Sequence, residues 1–393
     1  MARILYLVHR LPYPPNKGDK VRSYHLLRHL AERHEVLLGT FVDDPEDEVH
    51  IDTVRQWCAD MKAVRLHPRR ARLASLGGLL RGEPLTLAYY RSAELQTWVR
   101  QQHADATIVF SSSMAQYTQP SAGPVLVDFV DVDSAKWTDY APAHRWPLSW
   151  LYRREGRTLL AYERTVAARA RRSFFVTDKE VALFTGLAPE CAPQVQAVGN
   201  GVDTNYFSPD PSRTNPFDAD ELPVVFTGAM DYWPNVDAVS WFVAEMLPAL
   251  RARWPRLRLS IVGRSPTPVV QALAGEAVRV TGTVSDVRPW LQHAAVVVAP
   301  LRLARGVQNK VLEAMAMARP VVASAPCVQA IDGQPGKDLA AAVDAGDYIT
   351  VINDWLASPD AAATVGRDAR RCVVSRYGWS ARLAPVDHCL EAG

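Results

Sequence analysis

Lys310 and Glu313 are the residues whose placement most needs a chemical reason. An apolar run from Val296 to Ala299 leads into a loop holding Arg302, Arg305, Gly306 and Val307; a helical pattern follows, and Pro320 opens the next apolar run. Lys310 falls in the first turn of that predicted helix, where a cation opposes the helix dipole. Glu313 stands three residues on, among Val311, Leu312, Ala314 and Met315. A bound anion resolves the first conflict, because backbone N–H groups at a helix start, a glycine that lets a ligand come close and a lysine together form a diphosphate cradle. Glu313 shares a face with Lys310 and is placed to accept hydrogen bonds from a ribose joined to that diphosphate. The competing reading is a solvated loop with a snorkelling lysine and a surface glutamate.

Such a cradle has to be held at the end of a sheet, and the patterning of the chain supplies two. Short apolar runs alternate with amphipathic stretches through both halves, which predicts an α/β chain of two doubly wound parallel-sheet domains. The first half predicts strands near Ile4–Val8, Val36–Phe41, Ala63–Leu66, Thr107–Ser111, Val125–Val130, Ser173–Thr177 and Val195–Val198. Its first helix is expected from Asp19, after the turn Pro14-Pro15-Asn16-Lys17-Gly18, to near His34, with Val21, Tyr24, Leu27 and Leu30 on one stripe. The second half predicts strands at Val224–Gly228, Leu257–Gly263, Val278–Gly282, Val296–Pro300 and Pro320–Ser324. Between the halves, the stretch that opens with Gly199-Asn200-Gly201-Val202-Asp203 is rich in turn formers and poor in periodicity, a linker composition. The expected domains are therefore 1–199 and 200–375, with a C-terminal helix over 376–393 returning to complete the first. Domains of this kind are expected to face a cleft, with ligands at the carboxyl ends of the strands.

Composition excludes several classes. At 393 residues the chain is too long for one ordinary core, and 48% apolar with 22% charged residues reads as globular. A formal net charge of +2 gives no footprint for nucleic acid. Five scattered cysteines without a C-x-x-C pair read as reduced thiols, with neither a disulfide framework nor a zinc site. The apolar run Ile4–Val8 is too short for a signal peptide, and no uncharged stretch is long enough to cross a bilayer, so a cytoplasmic location is expected.

Asn200-Gly201-Val202-Asp203 with Phe207-Ser208-Pro209, the strand-end Gly228, Ile261-Val262-Gly263, Val280-Thr281-Gly282 and the Lys310/Glu313 helix follow one another in an order that resembles glycosyltransferase family 4. More narrowly, His9-Arg10-Leu11-Pro12-Tyr13-Pro14-Pro15, Asp131-Val132-Asp133-Ser134-Ala135-Lys136-Trp137 and Phe175-Val176-Thr177-Asp178-Lys179-Glu180 resemble bacterial sugar transferases of exosortase (PEP-CTERM) and exopolysaccharide clusters. The resemblance implies the GT-B architecture of two Rossmann-like domains. It also implies retaining transfer of a sugar from a nucleotide diphosphate to a hydroxyl, without a required metal or other cofactor. The second domain would hold the donor and the first the acceptor. Glu313 matches the second glutamate of the family's E-x7-E motif and Lys310 its phosphate lysine. Gly18 matches a glycine whose backbone nears the diphosphate or the sugar, and Asp131 an acidic or histidine position facing the reacting sugar. Two departures stand out: Arg305 replaces the motif's first glutamate, and Ala229-Met230-Asp231-Tyr232-Trp233 follows Gly228 where an arginine and a lysine are usual. Arg264, Arg302 and Arg305 are then the candidates for the remaining phosphate charge.

Asp131 is a candidate base toward the acceptor or a holder of a sugar hydroxyl; its bland reading is a turn aspartate. Asp131-Val132-Asp133 also spells D-x-D, a divalent-metal motif of single-domain transferases, but the Lys310 helix already accounts for the nucleotide. Thr283 and Val284, in the turn after Gly282, are expected to read the base, with Val287 and Trp290 read either as base contacts or as core. Aromatic and basic residues mix over Trp146–Arg172 and around Leu76–Arg81, which suits either an anionic lipid surface or helices with arginines in solvent. On the first reading the protein touches the cytoplasmic face of the inner membrane and its acceptor is lipid-linked; a glycan acceptor is the other expectation. Two rival functions remain at this point: a UDP-sugar 2-epimerase, and a non-catalytic sugar-nucleotide binder.

Overall fold

The computed structural model describes residues 1–15, 18–119, 123–302 and 307–391. The chain divides into two compact units, Met1–Asn200 with Arg382–Gly393, and Gly201–Ala381. The first is built on seven parallel strands: β1 (Arg3–Val8), β2 (Glu35–Val42), β3 (Asp60–Arg65), β4 (Ala106–Phe110), β5 (Val125–Val130), β6 (Arg172–Phe175) and β7 (Val195–Ala197). They lie in the order β3-β2-β1-β4-β5-β6-β7. Ile4 to Val8 and Ala106 to Phe110 are buried throughout, as strands covered by helices on both faces must be. The winding reverses between β1 and β4, so the chain leaves the carboxyl ends of those strands in opposite directions and opens a crevice there.

The second unit repeats the plan with β8 (Leu222–Thr227), β9 (Leu257–Val262), β10 (Val278–Gly282), β11 (Val296–Ala299), β12 (Val321–Ser324) and β13 (Ala340–Ala342), ordered β10-β9-β8-β11-β12-β13. Its reversal falls between β8 and β11. The core gathers Val224, Val225 and Phe226 of β8 with Val296, Val297 and Val298 of β11 and with Val311, Leu312 and Met315 of the helix Asn309–Ala316. Among the described residues, no helix is long and apolar enough to cross a membrane.

Three elements differ from the sequence-based expectations. The first helix runs Gly18–Ala31 rather than to His34, because the amides of Arg33 and His34 both turn back to the Leu30 carbonyl. β13 pairs with β12 through Ala340 to Ala342, and three alanines carry no β-branched or aromatic signature that could have announced it. The C-terminal helix expected over 376–393 begins only at Trp379 and runs to Glu391, because the Tyr377 and Gly378 amides cap on the Val373 carbonyl and end the preceding helix Pro359–Arg376. The last helix belongs to the first unit from Arg382 onward, and Asp387 takes a 2.9 Å hydrogen bond from His29 of the first helix.

Helix Gly18–Ala31 is fixed by buried charge rather than by its apolar stripe alone. Lys20 pairs with Asp47 at 2.6 Å and Arg22 with Asp128 at 2.7 Å, and all four side chains are 5% exposed or less. Asp128 on β5 also accepts the Val130 amide at 3.2 Å. Val130 has φ +69°, a left-handed conformation that a β-branched residue adopts only when its surroundings impose it.

Candidate functional site

At the reversal point of the second sheet, the end of β8 and the start of helix Asn309–Ala316 meet over a lysine. Gly228 follows β8 directly, and a Cβ there would lie 2.9 Å from Lys310 Nζ and 2.7 Å from Asn235 Nδ2. Only glycine leaves room for both groups. The Lys310 ammonium donates to Asn235 Oδ1 and sits 4.4 Å from the Phe226 ring centroid. Asn235 is itself buried and anchored, its Nδ2 donating to the Ala229 carbonyl at 2.8 Å. Gly263, at the end of β9, is equally constrained, since a Cβ would come within 1.7 Å of the Gly228 carbonyl. The Gln308 side chain makes no capping hydrogen bond at the helix start among the described residues, and backbone N–H groups at such a terminus suit an anion.

Burial sets the electrostatics of both charged groups. Burial pulls the Lys310 ammonium down to about 8, against the attraction of Cys327 and Glu313. Burial likewise pushes the Glu313 carboxyl up to about 7, opposed by Lys310. Both groups sit among the apolar side chains of their helix, which costs solvation that a diphosphate and a ribose could restore.

The other residues expected here divide. Arg264 is exposed just after β9, Thr283 is exposed after β10, and Val307 is 40% exposed ahead of the helix. Val284, Val287 and Trp290 pack against the core, and Trp290 meets Phe217 edge-on with ring centroids 5.4 Å apart. Arg302 is folded back: its Nε donates to Asp237 at 2.9 Å and its guanidinium lies 5.4 Å from the Trp241 ring, so that pair would have to open before it reached a ligand. Arg305 and Gly306 lie outside the described residues. Asn235 was missed by sequence reasoning, although Gly228 seven residues before a helical asparagine is the kind of spacing that brings both to one strand end. Tyr232 and Trp233, each 60% exposed, stand where the resemblance would lead one to expect an arginine and a lysine.

Gly228→Ala should lower kcat/KM about tenfold to a hundredfold while the far-ultraviolet circular dichroism spectrum stays unchanged, because the new methyl group, on a backbone of φ +156° that already strains it, displaces the Asn235 and Lys310 side chains. Unaltered kinetics would mean that Lys310 has no part in turnover.

In the first unit, Asp131 follows β5 and accepts the Lys136 ammonium at 2.8 Å; Asp133 accepts the same ammonium at 3.1 Å. Although burial pulls Lys136 down, Asp133 and Asp131 hold it above the ordinary lysine value. The D-x-D carboxylates thus share an internal cation, and a metal would have to displace it. Lys136 also lines an open cavity of about 530 Å³ at the reversal point of the first sheet, with His9 from the end of β1 and Ser111 from the end of β4. Gly18 begins the first helix, outside that lining.

Comparison with known proteins places this geometry. Residues 221–358 match the family described as glycosyl transferases group 1. No curated protein matches the chain. Among solved structures, HepE of Anabaena in complex with UDP superposes with a TM-score of 0.64 at 16% identity, over 100% of both chains. Sucrose-phosphate synthase of Thermosynechococcus elongatus gives 0.64 at 18% identity, covering 99% of this chain and 98% of that one. A glycosyltransferase of Rickettsia africae gives 0.63 at 12% identity, again over 99% and 98%. The two parallel-sheet units thus have the GT-B fold, and residues 221–358 of the second are similar to the group 1 glycosyl transferases.

Proposed function

We propose that the protein transfers a sugar, with retention at the anomeric carbon and without a required metal, from a UDP-sugar to a hydroxyl of a glycan or lipid-linked acceptor. The reading extends to exopolysaccharide synthesis at the cytoplasmic face of the inner membrane, with the second unit holding the donor and the first the acceptor. The observation that carries it is the Gly228–Asn235–Lys310 contact at the reversal point of the second sheet, with Glu313 one turn further along the same helix. The choice of uridine is supported by the HepE complexes, which hold UDP and UDP-glucose.

Breaking a glycosyl–phosphate bond leaves negative charge on the departing diphosphate, and stabilising it is the larger task. Lys310 and the helix terminus do so with charge and dipoles already in place; Glu313 orients the ribose. Arg264 is the nearest exposed cation after β9 for the remaining phosphate charge, with Gly18, Arg302, Arg305, Gly306 and Val307 assigned to the donor's diphosphate and sugar. Asp131 orients a sugar hydroxyl or receives the acceptor proton.

The test is a thermal-shift titration with UDP, GDP and ADP from pH 6 to pH 9. A ligand that binds only the folded state raises the melting temperature. UDP should raise it most, and its effect should peak between about 7 and about 8, the values of Glu313 and Lys310. Above that window Lys310 loses the proton that attracts phosphate; below it Glu313 gains one and ceases to accept from ribose. Equal shifts from all three nucleotides would remove the preference for uridine, and no shift from any would remove the site.

A further inference from the structure

A second cavity of the first unit lies away from the crevice, where the last helix passes the edge of the sheet. Its volume is about 330 Å³, and Arg171, Arg172, Gln196, Pro385, His388 and Cys389 line it. Arg172 opens β6, and Gln196 is the middle residue of the edge strand β7. Ser173 pairs with Val195 and Phe174 with Gln196, so Arg172 and Gln196 project from the same face of the sheet. Pro385, His388 and Cys389 are spaced i, i+3 and i+4 along the helix Trp379–Glu391, and that helix face closes the other side. The cavity thus sits at the amino end of β6, whereas the crevice sits at the carboxyl ends of β1 and β4.

The lining is rich in donors and poor in acceptors. Arg172 Nη1 donates to the Pro193 carbonyl at 2.7 Å, which fixes the guanidinium, yet its Nε is buried with no hydrogen-bond partner among the described residues. Buried N–H groups are ordinarily paired, and leaving one on a charged group unpaired costs more than leaving a neutral one. The Arg171 and His388 side chains have neither an ion pair nor a hydrogen bond among the described residues. Asp387, beside His388 in the chain, is taken by His29 at 2.9 Å, and no described carboxylate lines the cavity. Two guanidiniums and an imidazole around one recess suit an acceptor-rich anion, and the planar fork of arginine matches phosphate oxygens. The volume is at the small end for ligand pockets, which fits a phosphate on a short carbon body rather than a nucleotide. None of the lining residues is a large exposed apolar side chain able to enter a bilayer, which favours a soluble ester over a lipid headgroup.

We infer that this recess is a second anion site, which binds a small soluble phosphate monoester through Arg171, Arg172 and His388 and so fastens the last helix to the edge of the first sheet. The inference goes beyond the transferase reading and does not depend on it, because every lining residue belongs to the first unit while Lys310 belongs to the second. The phosphate supplies the acceptor that Arg172 Nε lacks. It also ties down a helix in which Pro385 forfeits one backbone hydrogen bond.

Two measurements on the full chain test this. Calorimetric titration with glycerol 3-phosphate is made on Lys310→Ala, in which the donor cradle lacks its cation, at physiological salt, where diffuse attraction is screened. It should show one saturable site, weakened at least about tenfold by adding Arg171→Gln and lost when Arg172→Gln is added as well. Arg171→Gln breaks no contact among the described residues, so that variant alone should keep the melting temperature of the parent and its rise with UDP, which shows it folded. In the unmodified protein, glycerol 3-phosphate should slow amide hydrogen exchange over residues 382–391 about tenfold and leave the helix Asn309–Ala316 unchanged. No saturable binding, binding that survives loss of both arginines, or slowed exchange at Asn309–Ala316 in place of the last helix would overturn the inference. So would sedimentation with phosphatidic acid vesicles that Arg171→Gln abolishes while the soluble ester fails to bind, since the arginines would then belong to a lipid headgroup.

Discussion

Lys310→Ala is expected to lower turnover by about two to three powers of ten, the loss seen when one preorganised donor to a developing anion is removed. The structure gives the change an unusual signature, because Lys310 is held in place at a cost. Its ammonium is partly desolvated, with a pKa pulled down to about 8, so deleting it relieves the folded state instead of weakening it. Activity should therefore collapse while the melting temperature of the unliganded protein holds or rises. The UDP-induced shift should shrink in the same variant, since the diphosphate loses its fixed cation. Turnover within a few-fold of the parent, measured under single-turnover conditions, would show that Lys310 is a core lysine and that the phosphate is held elsewhere.

Much of this site was legible in the residues, and the reason is geometric. Apolar runs bounded by glycine mark strand ends in a doubly wound sheet, so Gly228, Gly263 and Gly282 could be set at one rim of the sheet before any coordinates. A lysine in the first turn of a helix needs an anion, which singled out Lys310. What could not be read was side-chain company. Nothing in the spacing shows that Asn235 grips Lys310, because that contact joins residues 75 apart in the chain. Arg302 looked free for phosphate, yet Asp237 and Trp241 hold it, and both lie on the helix after Gly228. The cavity of the first unit, lined by Tyr89, Tyr90, Trp137 and Tyr152 among others, was equally hidden, since its walls come from helices scattered between Pro68 and Arg169 that no periodicity groups together. β13 escaped for a different cause: its alanines fit any secondary structure, and only pairing with β12 makes them a strand.

The same long-range company gives the largest expected effect on stability. Asp128→Ala should cost about 3 to 5 kcal/mol in urea unfolding, the range for breaking a buried ion pair from one side. Arg22 is 1% exposed, its Nε is held by Asp128, and its Nη2 has no hydrogen-bond partner among the described residues. Removing the carboxylate leaves that guanidinium with the 3.2 Å contact from Nη1 to Asn200 Oδ1. It also strips the acceptor from the Val130 amide, whose left-handed backbone turns the chain toward Asp131. An apolar pair should do far better: Arg22→Met/Asp128→Leu leaves no buried charge and is expected to recover most of the loss. It cannot restore the hydrogen bond at Val130, so the double variant should be stable yet slow, with kcat reduced and the UDP-induced melting shift unchanged. A double variant as active as the parent would make the pair purely structural, and an Asp128→Ala protein as stable as the parent would mean that Arg22 finds water instead.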